Sequence, residues 1–559
     1  MKEKIDNLLK NTIDYCFQQG LLKDTVLPDY VIEVPNNAKH GHLATNLPLT
    51  LASSQKRPPR DIAKVIVDNF RDPGNFLEKI EIAGPGFINF TINNIEWLRV
   101  LKSIIELDEK FGGLASRKNK SVLVEFVSAN PTGPLHLGHG RGAALGDTIC
   151  RVLDFRGYDV VREFYINDAG VQIRLLGESV FARWKQMTDP DHPFPQNGYH
   201  GDYILDLAKE ISAETDLSAM DEETAILTCS RLGKEKMLQE IKYDLEQFRV
   251  TFDIWFSETG LFEKGLVEKA LDEMMEKDEL YEKDGALWIK TAGYGDDKDR
   301  VIKKQDGQFT YFASDISYHL DKYKRGFSRA LNLWGADHHG YINRVISALK
   351  ANDIDEKWLS VLLIQLVKLW KDGQEIRMSK RAGQYVTMRD LLEEVDVDAA
   401  RFVFLTKSHD SPLDFDIDLV KKKDNDNPVY YVQYAHARIC SIFRKADSEG
   451  LDISLNVDEE ALKLLVLDEE MDLIRYLEGF TELLDGICDS YEAHRLTYYL
   501  TDLAARFHRY FNLGTRDSEN RVITDNINLT KARLALAAGV RIVIRNGLNL
   551  LGVSAPEKM

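Results

Sequence analysis

The sequence predicts an α/β protein built on a parallel sheet, with a small α/β module before the sheet and a helix bundle after it. Three observations predict this order. Strand-like and helix-like segments alternate from residue 121, which is typical of parallel strands joined by crossover helices. The preceding residues mix both patterns within the length of one domain. After the charged segment 421–427 (KKKDNDN) the patterns are long and helical. We therefore predict domains at 1–115, 116–420 and 421–559.

The first module begins with an amphipathic helix, whose apolar residues are Ile5, Leu8, Leu9, Ile13 and Phe17. The segments that follow are a strand at 30–34, a helix through 62–70, and a strand pair at 80–82 and 86–92. Acidic residues in the first helix argue against a secretory signal or a transit peptide. Polar residues 116–120 (SRKNK) fit a linker into the next domain.

Residues 129–142 (ANPTGPLHLGHGRG) are the most informative segment of the chain. Residues 121–127 (SVLVEFV), just before it, are apolar and β-branched, as in a buried parallel strand. Residues 143–155, just after it, have helical periodicity and end before Gly157. The segment is therefore predicted to be a turn between a strand and a helix that begins near His136. His136 and His139 lie one turn apart, so both rings face the helix N-terminus, where anions bind.

Four glycines lie in this predicted helix, at positions 138, 140, 142 and 146. Each costs about 1 kcal/mol relative to alanine, so we expect something flat or charged to lie against the backbone. A nucleotide fits, with its base on the glycine face and its phosphates against the imidazoles. An isolated histidine pair is more often structural, but the glycines and the strand favour nucleotide binding.

The middle of the chain continues the alternation. Residues 160–166 are predicted to form the second strand, and residues of about 180–300 are interpreted as an insertion between two halves of the sheet. The insertion is rich in helix-forming residues and includes a turn-rich patch at 188–201. Sheet-like segments resume at 286–289, 330–334 and 361–369. In the last domain, residues 531–552 give the clearest amphipathic helix.

Composition indicates a soluble globular protein. Of its 559 residues, 44% are hydrophobic and 29% charged. The net charge of −18 argues against a general nucleic-acid coat but allows local basic stripes. The five cysteines are isolated, which fits a reducing cytosol and gives no signal for structural zinc. Apolar runs are too short to predict a membrane span.

A second motif, residues 376–383 (IRMSKRAG), follows a predicted turn at Asp372 and Gly373. A mobile loop that carries Lys380 between Arg377 and Arg381 can close on a triphosphate and neutralise charge as pyrophosphate leaves. Alone, such a basic loop is usually solvated surface. Because the chain also contains the histidine turn far upstream, we favour a functional loop over a solvated surface here.

The His136-Leu-Gly-His139 turn together with Met378-Ser379-Lys380 resembles the signature of class I aminoacyl-tRNA synthetases. The wider context resembles the arginyl-tRNA synthetase family. Its matching stretches are 125–130 (EFVSAN), 167–172 (NDAGVQ), 310–315 (TYFASD) and 335–342 (GADHHGYI). The stretches 40–46 and 83–89 resemble the extra N-terminal domain of that family, and the C-terminus resembles its anticodon-binding bundle.

The sequence departs from the family pattern at two positions. One departure is Arg377, where the signature has its first lysine. Another is Thr132, where members without the signature loop carry a lysine.

The resemblance implies a Rossmann-like class I catalytic domain, a helical anticodon-binding domain, and an N-terminal domain that contacts the tRNA elbow. It implies that ATP, with Mg²⁺, activates L-arginine to arginyl-adenylate, and that the arginyl group passes to tRNA(Arg). A cytoplasmic monomer without a membrane partner is expected. The implied catalytic residues are His136, His139 and Lys380. The implied ATP-binding residues are Thr132, Gly133, His136, Gly138, His139, Gly140, Met378, Ser379 and Lys380.

The implied arginine-binding residues are Glu125, Asn130, His139, Tyr311 and Asp315, with Asp337 or His338 completing the pocket. The residue types support this set, since a guanidinium needs carboxylates and a flat face for its stem. Tyr311 and Asp315 are four residues apart and share a helix face, although alone they would more often be core and cap residues.

Two alternatives concern single residues of this set. Glu125 and Asn130 lie where ligands bind in open sheets, but a salt-bridged structural carboxylate is an equal alternative for Glu125. His338 and His339 are adjacent, so their side chains point apart, and no third ligand is spaced nearby. We therefore predict that the protein has no metal site there.

Three other functions compete with this interpretation. A small-ligand adenylating enzyme with the same histidine turn would lack the C-terminal bundle, and a non-catalytic tRNA-binding protein would lack the phosphate-binding residues. Cysteinyl and methionyl synthetases share both motifs, but the zinc-binding cysteines typical of them are missing.

Overall fold

The computed structural model describes residues 1–35, 37–117, 120–376 and 386–559. The chain divides into two compact units. The first contains Met1–Phe111, Ile439–Phe480 and Arg506–Val543, and the second contains Gly112–Arg438, Thr481–Ala505 and Ile544–Met559. The C-terminal helices thus contribute to both units, and the boundaries of the three predicted domains stay a prediction.

The N-terminal part of the first unit is an α/β module. Its elements are α1 (Lys2–Gln18), β1 (Ile32–Glu33), β2 (Leu43–Thr45), α2 (Leu47–Gln55), α3 (Pro59–Asp68), β3 (Leu77–Ala83), β4 (Phe87–Ile92) and α4 (Asn94–Leu107). The strands form an antiparallel sheet of order β1-β2-β4-β3. The apolar side chains Ile5, Leu9 and Ile13 of α1 are fully buried, which confirms the predicted amphipathic helix.

The region from 121 to 421 alternates strands and helices. Its elements are β5 (Ser121–Glu125), α5 (Leu137–Phe155), β6 (Asp159–Ile166), α6 (Val171–Gln186), α7 (Asp202–Glu214), α8 (Glu222–Gln247), β7 (Ile254–Ser257), α9 (Glu258–Glu263), α10 (Leu266–Glu276), β8 (Leu280–Lys283), β9 (Ala286–Ile289), β10 (Arg300–Lys303), α11 (Tyr311–Lys324), β11 (Arg329–Gly335), α12 (Ile342–Ala351), β12 (Leu359–Ile364), β13 (Val367–Lys371), β14 (Gln374–Ile376), α13 (Met388–Glu394), α14 (Val397–Phe404), β15 (Leu413–Asp416) and α15 (Ile417–Lys421).

Five of these strands form the predicted parallel sheet, in the order β12-β11-β5-β6-β7. The central strand β5 is buried on both faces, as its apolar sequence predicts. It ends two residues earlier than predicted, because Val127 (φ 68°) and Ser128 (φ 39°) turn the chain with left-handed backbone angles. A β-branched residue adopts such angles rarely, so the turn that follows the strand is strained.

The segment expected to be an insertion has mixed structure. Helices α6, α7 and α8 share an apolar core that includes Leu176, Ile204 and Ile226. Strand β7, which follows them, is an edge strand of the main sheet, whereas β8, β9 and β10 form a separate antiparallel sheet. The sheet-like residues 286–289 therefore belong to the small sheet. The predicted segment 361–369 divides between β12 of the main sheet and β13 of a third sheet.

The last part of the described chain is helical, as predicted. Its helices are α16 (Pro428–Ser448), α17 (Glu459–Leu462), α18 (Asp468–Ser490), α19 (His494–Arg516) and α20 (Ile527–Leu550). Helix α20 differs from the expected amphipathic helix, since between Ala532 and Leu550 only Asn549 is exposed. Among the described residues no helix combines the length and the apolar character that crossing a bilayer requires.

Candidate active site

The residues with candidate functions meet at the carboxyl edge of the main sheet, where ligands bind in open α/β folds. The turn between β5 and α5 lies at the centre of this edge. The segments after β6 and β7, the first turns of α11, and the 3₁₀ helix Ala336–Tyr341 after β11 supply the other residues.

The histidine turn has the predicted geometry. His136 is the N-cap of α5, and its Nδ1 accepts a hydrogen bond from the Gly138 amide at 3.1 Å. The His139 Nδ1 accepts from the His136 amide at 3.2 Å, and the two rings stack with centroids 3.6 Å apart. A neutral imidazole that accepts at Nδ1 carries its hydrogen on Nε2. The two hydrogen bonds to Nδ1 therefore make each ring an Nε2–H donor. Both donors lie at the positive N-terminal end of a helix, where a phosphate is favoured.

Three of the four glycines in α5 are required for a reason that differs from the expected contact with a nucleotide. A Cβ at Gly140 would lie 3.3 Å from the Phe404 ring, one at Gly142 3.2 Å from Ile364, and one at Gly146 inside the Phe126 ring. These three glycines make room for protein side chains. The interpretation of a continuous glycine face for the base is therefore wrong at Gly140, Gly142 and Gly146, and it stays a prediction for Gly138.

The turn before the histidines is braced by the helices after β6. The Asn130 side chain donates to the Gln172 Oε1 at 2.7 Å, and the Tyr203 hydroxyl donates to the Thr132 carbonyl at 2.8 Å. Thr132 is buried and Gly133 is half-buried. Gln172 and Tyr203 were not expected at the site, and only Gln172 lies in a quoted motif.

All of the second motif after Ile376 lies outside the described residues, which resume at Val386. This gap contains Met378, Ser379 and Lys380. The chain that follows it returns to the histidine turn, because Thr387 forms an antiparallel bridge with His136, and the Met388 amide donates to the Leu135 carbonyl at 2.7 Å. The C-terminal flank of the motif is thus joined to the candidate phosphate site.

Two carboxylates of the site have no cationic partner among the residues that the structure describes. Asp315, on α11, accepts a hydrogen bond from the Tyr341 hydroxyl, and burial raises the pKa of its carboxyl to about 6. Glu258, the first residue of α9, is buried, and burial together with the charges of Asp315 and Asp168 raises its pKa to about 7. Within the described chain, neither carboxylate has an ion-pair partner. The Oε2 of Glu258 and the nearby Tyr165 hydroxyl are also buried without a hydrogen-bond partner among those residues.

Glu258 was missed from the sequence. The available signal was its position directly after the strand-like segment IWFS, since a polar residue at a strand end is a ligand candidate. Asp168 holds its neighbours, because it accepts hydrogen bonds from the Ser257 hydroxyl at 2.9 Å and the Thr259 amide at 2.9 Å. Asp168 itself is paired with Lys234 at 3.2 Å.

Glu125 is also paired. Its carboxylate accepts from the buried Lys322 ammonium and from the Ser128 hydroxyl at 3.0 Å. This arrangement favours the alternative of a salt-bridged structural carboxylate. Glu125 still belongs to the electrostatics of the site, because its charge contributes to the raised pKa of Asp315.

The remaining predicted residues are exposed. Tyr311 is 68% exposed, with its hydroxyl beside Gly170. Asp337 and His338 lie exposed on the 3₁₀ helix, and it is the next aromatic residue, Tyr341, that reaches Asp315. The expectation that Asp337 or His338 completes the pocket therefore stays a prediction, and Tyr341 is the residue of this segment that contacts Asp315.

Comparison with known proteins covers the whole chain. Residues 1–92 match the arginyl-tRNA synthetase N-terminal domain, residues 100–416 match the catalytic domain of class I tRNA synthetases (R), and residues 432–559 match the DALR anticodon-binding domain. An arginine–tRNA ligase of Desulfosudis oleivorans is 48% identical over 562 residues, which cover 100% of both chains.

This chain belongs to the arginyl-tRNA synthetase family. An arginine–tRNA ligase of Bacillus subtilis is 44% identical and covers 100% of this chain and 99% of its own. A solved arginyl-tRNA synthetase from Thermus thermophilus has the same fold, with a TM-score of 0.79, 22% identity and full coverage of both chains. Family membership makes the protein a class I aminoacyl-tRNA synthetase and excludes the small-ligand adenylating enzyme and the cysteinyl and methionyl types.

Proposed function

We propose that this chain carries out the reaction of its family, arginine–tRNA ligation, at the carboxyl edge of the main sheet. In the first step a carboxylate oxygen of arginine attacks the α-phosphorus of ATP, and pyrophosphate leaves. In the second step a terminal ribose hydroxyl of tRNA(Arg) attacks the arginyl carbonyl, and AMP leaves. Both steps depend on positioning and charge stabilisation, so no general base is assigned.

The observation that carries the proposal is the pair of unbalanced carboxylates, Asp315 and Glu258. Both are held in a partly desolvated site where the neutral acid is favoured, and their raised pKa values report this cost. A guanidinium supplies the missing positive charge and five donors in a planar fork. Tyr341 and Tyr165 add hydroxyls at the same place. The site is therefore selective for a planar cation over a neutral side chain.

The histidine turn is proposed to hold ATP. The imidazoles of His136 and His139, at the N-terminus of α5, are proposed to donate to the phosphate oxygens, and Gly138 is the candidate surface for the base. Asn130 and His139 are proposed to hold the amino-acid end of arginine. Lys380 is proposed from the sequence to stabilise the leaving pyrophosphate, and the bridge between Thr387 and His136 supports this role by joining the end of its segment to the turn.

Mg²⁺ is proposed to arrive with ATP as part of the substrate. The described residues contain no group of three or more His, Cys, Asp or Glu side chains suited to a metal ion. The helical region 421–559 is proposed to bind tRNA(Arg), and the protein is proposed to act as a cytoplasmic monomer.

The test is ATP–pyrophosphate exchange, with tRNA present, for the wild type and for Glu258→Gln. We expect the KM for arginine to rise about tenfold, as for loss of one charged hydrogen-bond partner, while the KM for ATP stays within a factor of two. Glu263→Gln, an exposed carboxylate on the same helix, is the matched control and should leave both constants unchanged. Equal changes in both KM values would contradict the arginine pocket.

A second measurement tests the substrate itself. Aminoacylation of bulk tRNA with each of the twenty amino acids should charge arginine alone. Charging by any other amino acid at a comparable rate would overturn the proposal.

A further inference from the structure

A row of polar side chains crosses the middle of the main sheet under helix α11. Asn332, Glu125 and Glu163 occupy aligned positions on the neighbouring strands β11, β5 and β6. All three are buried. Three adjacent polar residues in the interior of a parallel sheet are unusual, because such strands are normally apolar throughout.

Helix α11 covers this row with matching donors. The Lys322 ammonium, fully buried, donates to Glu125 and to the Asn332 Oδ1 at 3.0 Å. Glu163 accepts from the Tyr318 hydroxyl at 2.6 Å and from the Arg325 guanidinium at 2.6 and 3.1 Å. Each buried charge thus has a partner of opposite sign.

The donors continue the face of the helix that carries the candidate arginine ligands. Residues 311, 315, 318, 322 and 325 are spaced by three or four, so they lie along one stripe. A shift of α11 along the sheet would break every contact of the row at once. A buried network with strict geometry can in this way select one arrangement even when its net contribution to stability is small.

A chain of hydrogen bonds connects Lys322 to Asp315. Lys322 holds the Asn332 Oδ1, and the Asn332 Nδ2 donates to the His319 Nε2 at 2.9 Å. The His319 Nδ1 then donates to the Asp315 carbonyl oxygen at 2.7 Å. Burial and the nearby Lys322 charge lower the pKa of His319 to about 3, so this ring stays neutral and keeps both roles.

We infer that Lys322 is a positioning residue for arginine recognition, acting through Asn332 and His319 to fix the turn of α11 that presents Asp315. The inference rests on the proposed function, because Asp315 is its point of action. Lys322 itself is paired with Glu125 and Asn332, so its proposed action on the substrate is indirect.

The test compares Lys322→Met, Lys322→Arg and Asn332→Ala in ATP–pyrophosphate exchange with tRNA present. A small displacement of a binding group is expected to raise the KM for arginine on the order of tenfold. The KM for ATP should change by less than a factor of two, and Lys322→Arg should recover part of the loss. Arg533→Met is the matched control, because it breaks another buried ion pair, with Glu470, in the other compact unit. It should lower the melting temperature without changing the KM for arginine.

A double-mutant cycle gives the decisive result. If Lys322 acts through Asp315, Lys322→Met should have no further effect on the KM for arginine in an Asp315→Ala background. Additive effects, or an unchanged KM in folded Lys322→Met, would overturn the inference. If Lys322→Met does not fold, Asn332→Ala, which leaves the Lys322–Glu125 pair in place, provides the same cycle. Failure of Asp315→Ala itself to raise the KM would instead overturn the proposed arginine pocket.

Discussion

Helix α11 carries two groups of charged residues that differ in how their charge is balanced. At its C-terminal half, Lys322 and the following Arg325 neutralise Glu125 and Glu163 inside the sheet. At its N-terminal half, Asp315 faces Glu258 without a cation in the described chain. The charges of the first group are neutralised by ion pairs inside the fold. The second group has no such balance within the described chain and is proposed to bind a cationic ligand, so one face of a helix can serve both the fold and the site.

The unbalanced half should give the largest effect. Asp315→Ala should raise the KM for arginine on the order of 10²-fold, as for truncation of one partner of a buried charge pair. The KM for ATP should change little. Steady-state ATP–pyrophosphate exchange measures both constants, and Asp272→Ala, an exposed carboxylate on α10, is a control that should leave both unchanged. If both constants move together, Asp315 is structural.

The balanced half should respond in stability rather than recognition. Arg325→Met leaves the buried Glu163 without its bidentate partner. Because Arg325 is partly exposed, we expect a loss of about 1–3 kcal/mol in the free energy of unfolding, below the range for a fully buried pair. Urea denaturation measures the change, and Arg325→Lys should recover part of it. The KM for arginine should rise by only a few-fold. A rise as large as that of Asp315→Ala would contradict the assignment of a structural role to the C-terminal half of α11.

Acid should weaken arginine binding through the unbalanced half. The pKa values of Asp315 and Glu258, raised to about 6 and about 7, mean that both are largely neutral at pH 5 and charged above pH 8. A guanidinium binds the charged forms, so affinity should rise between these limits, by about tenfold for each pKa unit that binding shifts. Arginine titrations from pH 5.5 to 8.5 test this, and Glu258→Gln should flatten the upper part of the profile. A pH-independent affinity would contradict the assignment.

The sequence predicted what depends on local pattern. The strand and turn around His136 follow from periodicity and turn residues, and the parallel sheet follows from the alternation of elements. Asp315 follows from the family motif and its helical spacing from Tyr311. The prediction that the protein has no metal site is not tested by the structure.

The features that the sequence did not predict depend on contacts between residues that lie far apart along the chain. The partner of Glu125 is Lys322, 197 residues away, and no local pattern connects the two. Gly140 and Gly146 are explained by Phe404 and Phe126, which reach α5 from other elements. Glu258 lies near Asp315 only because β7 brings it next to the first turns of α11. Spacing along the chain cannot report such contacts.

Proton release on arginine binding tests the central claim most directly. Isothermal titration calorimetry of the wild type at pH 6.5, in two buffers with different ionisation enthalpies, gives the number of protons exchanged. Because the charged carboxylates of Asp315 and Glu258 are the forms that bind a guanidinium, binding should release protons to the buffer, and Glu258→Gln should release fewer. Binding heats that are identical in the two buffers would contradict the account.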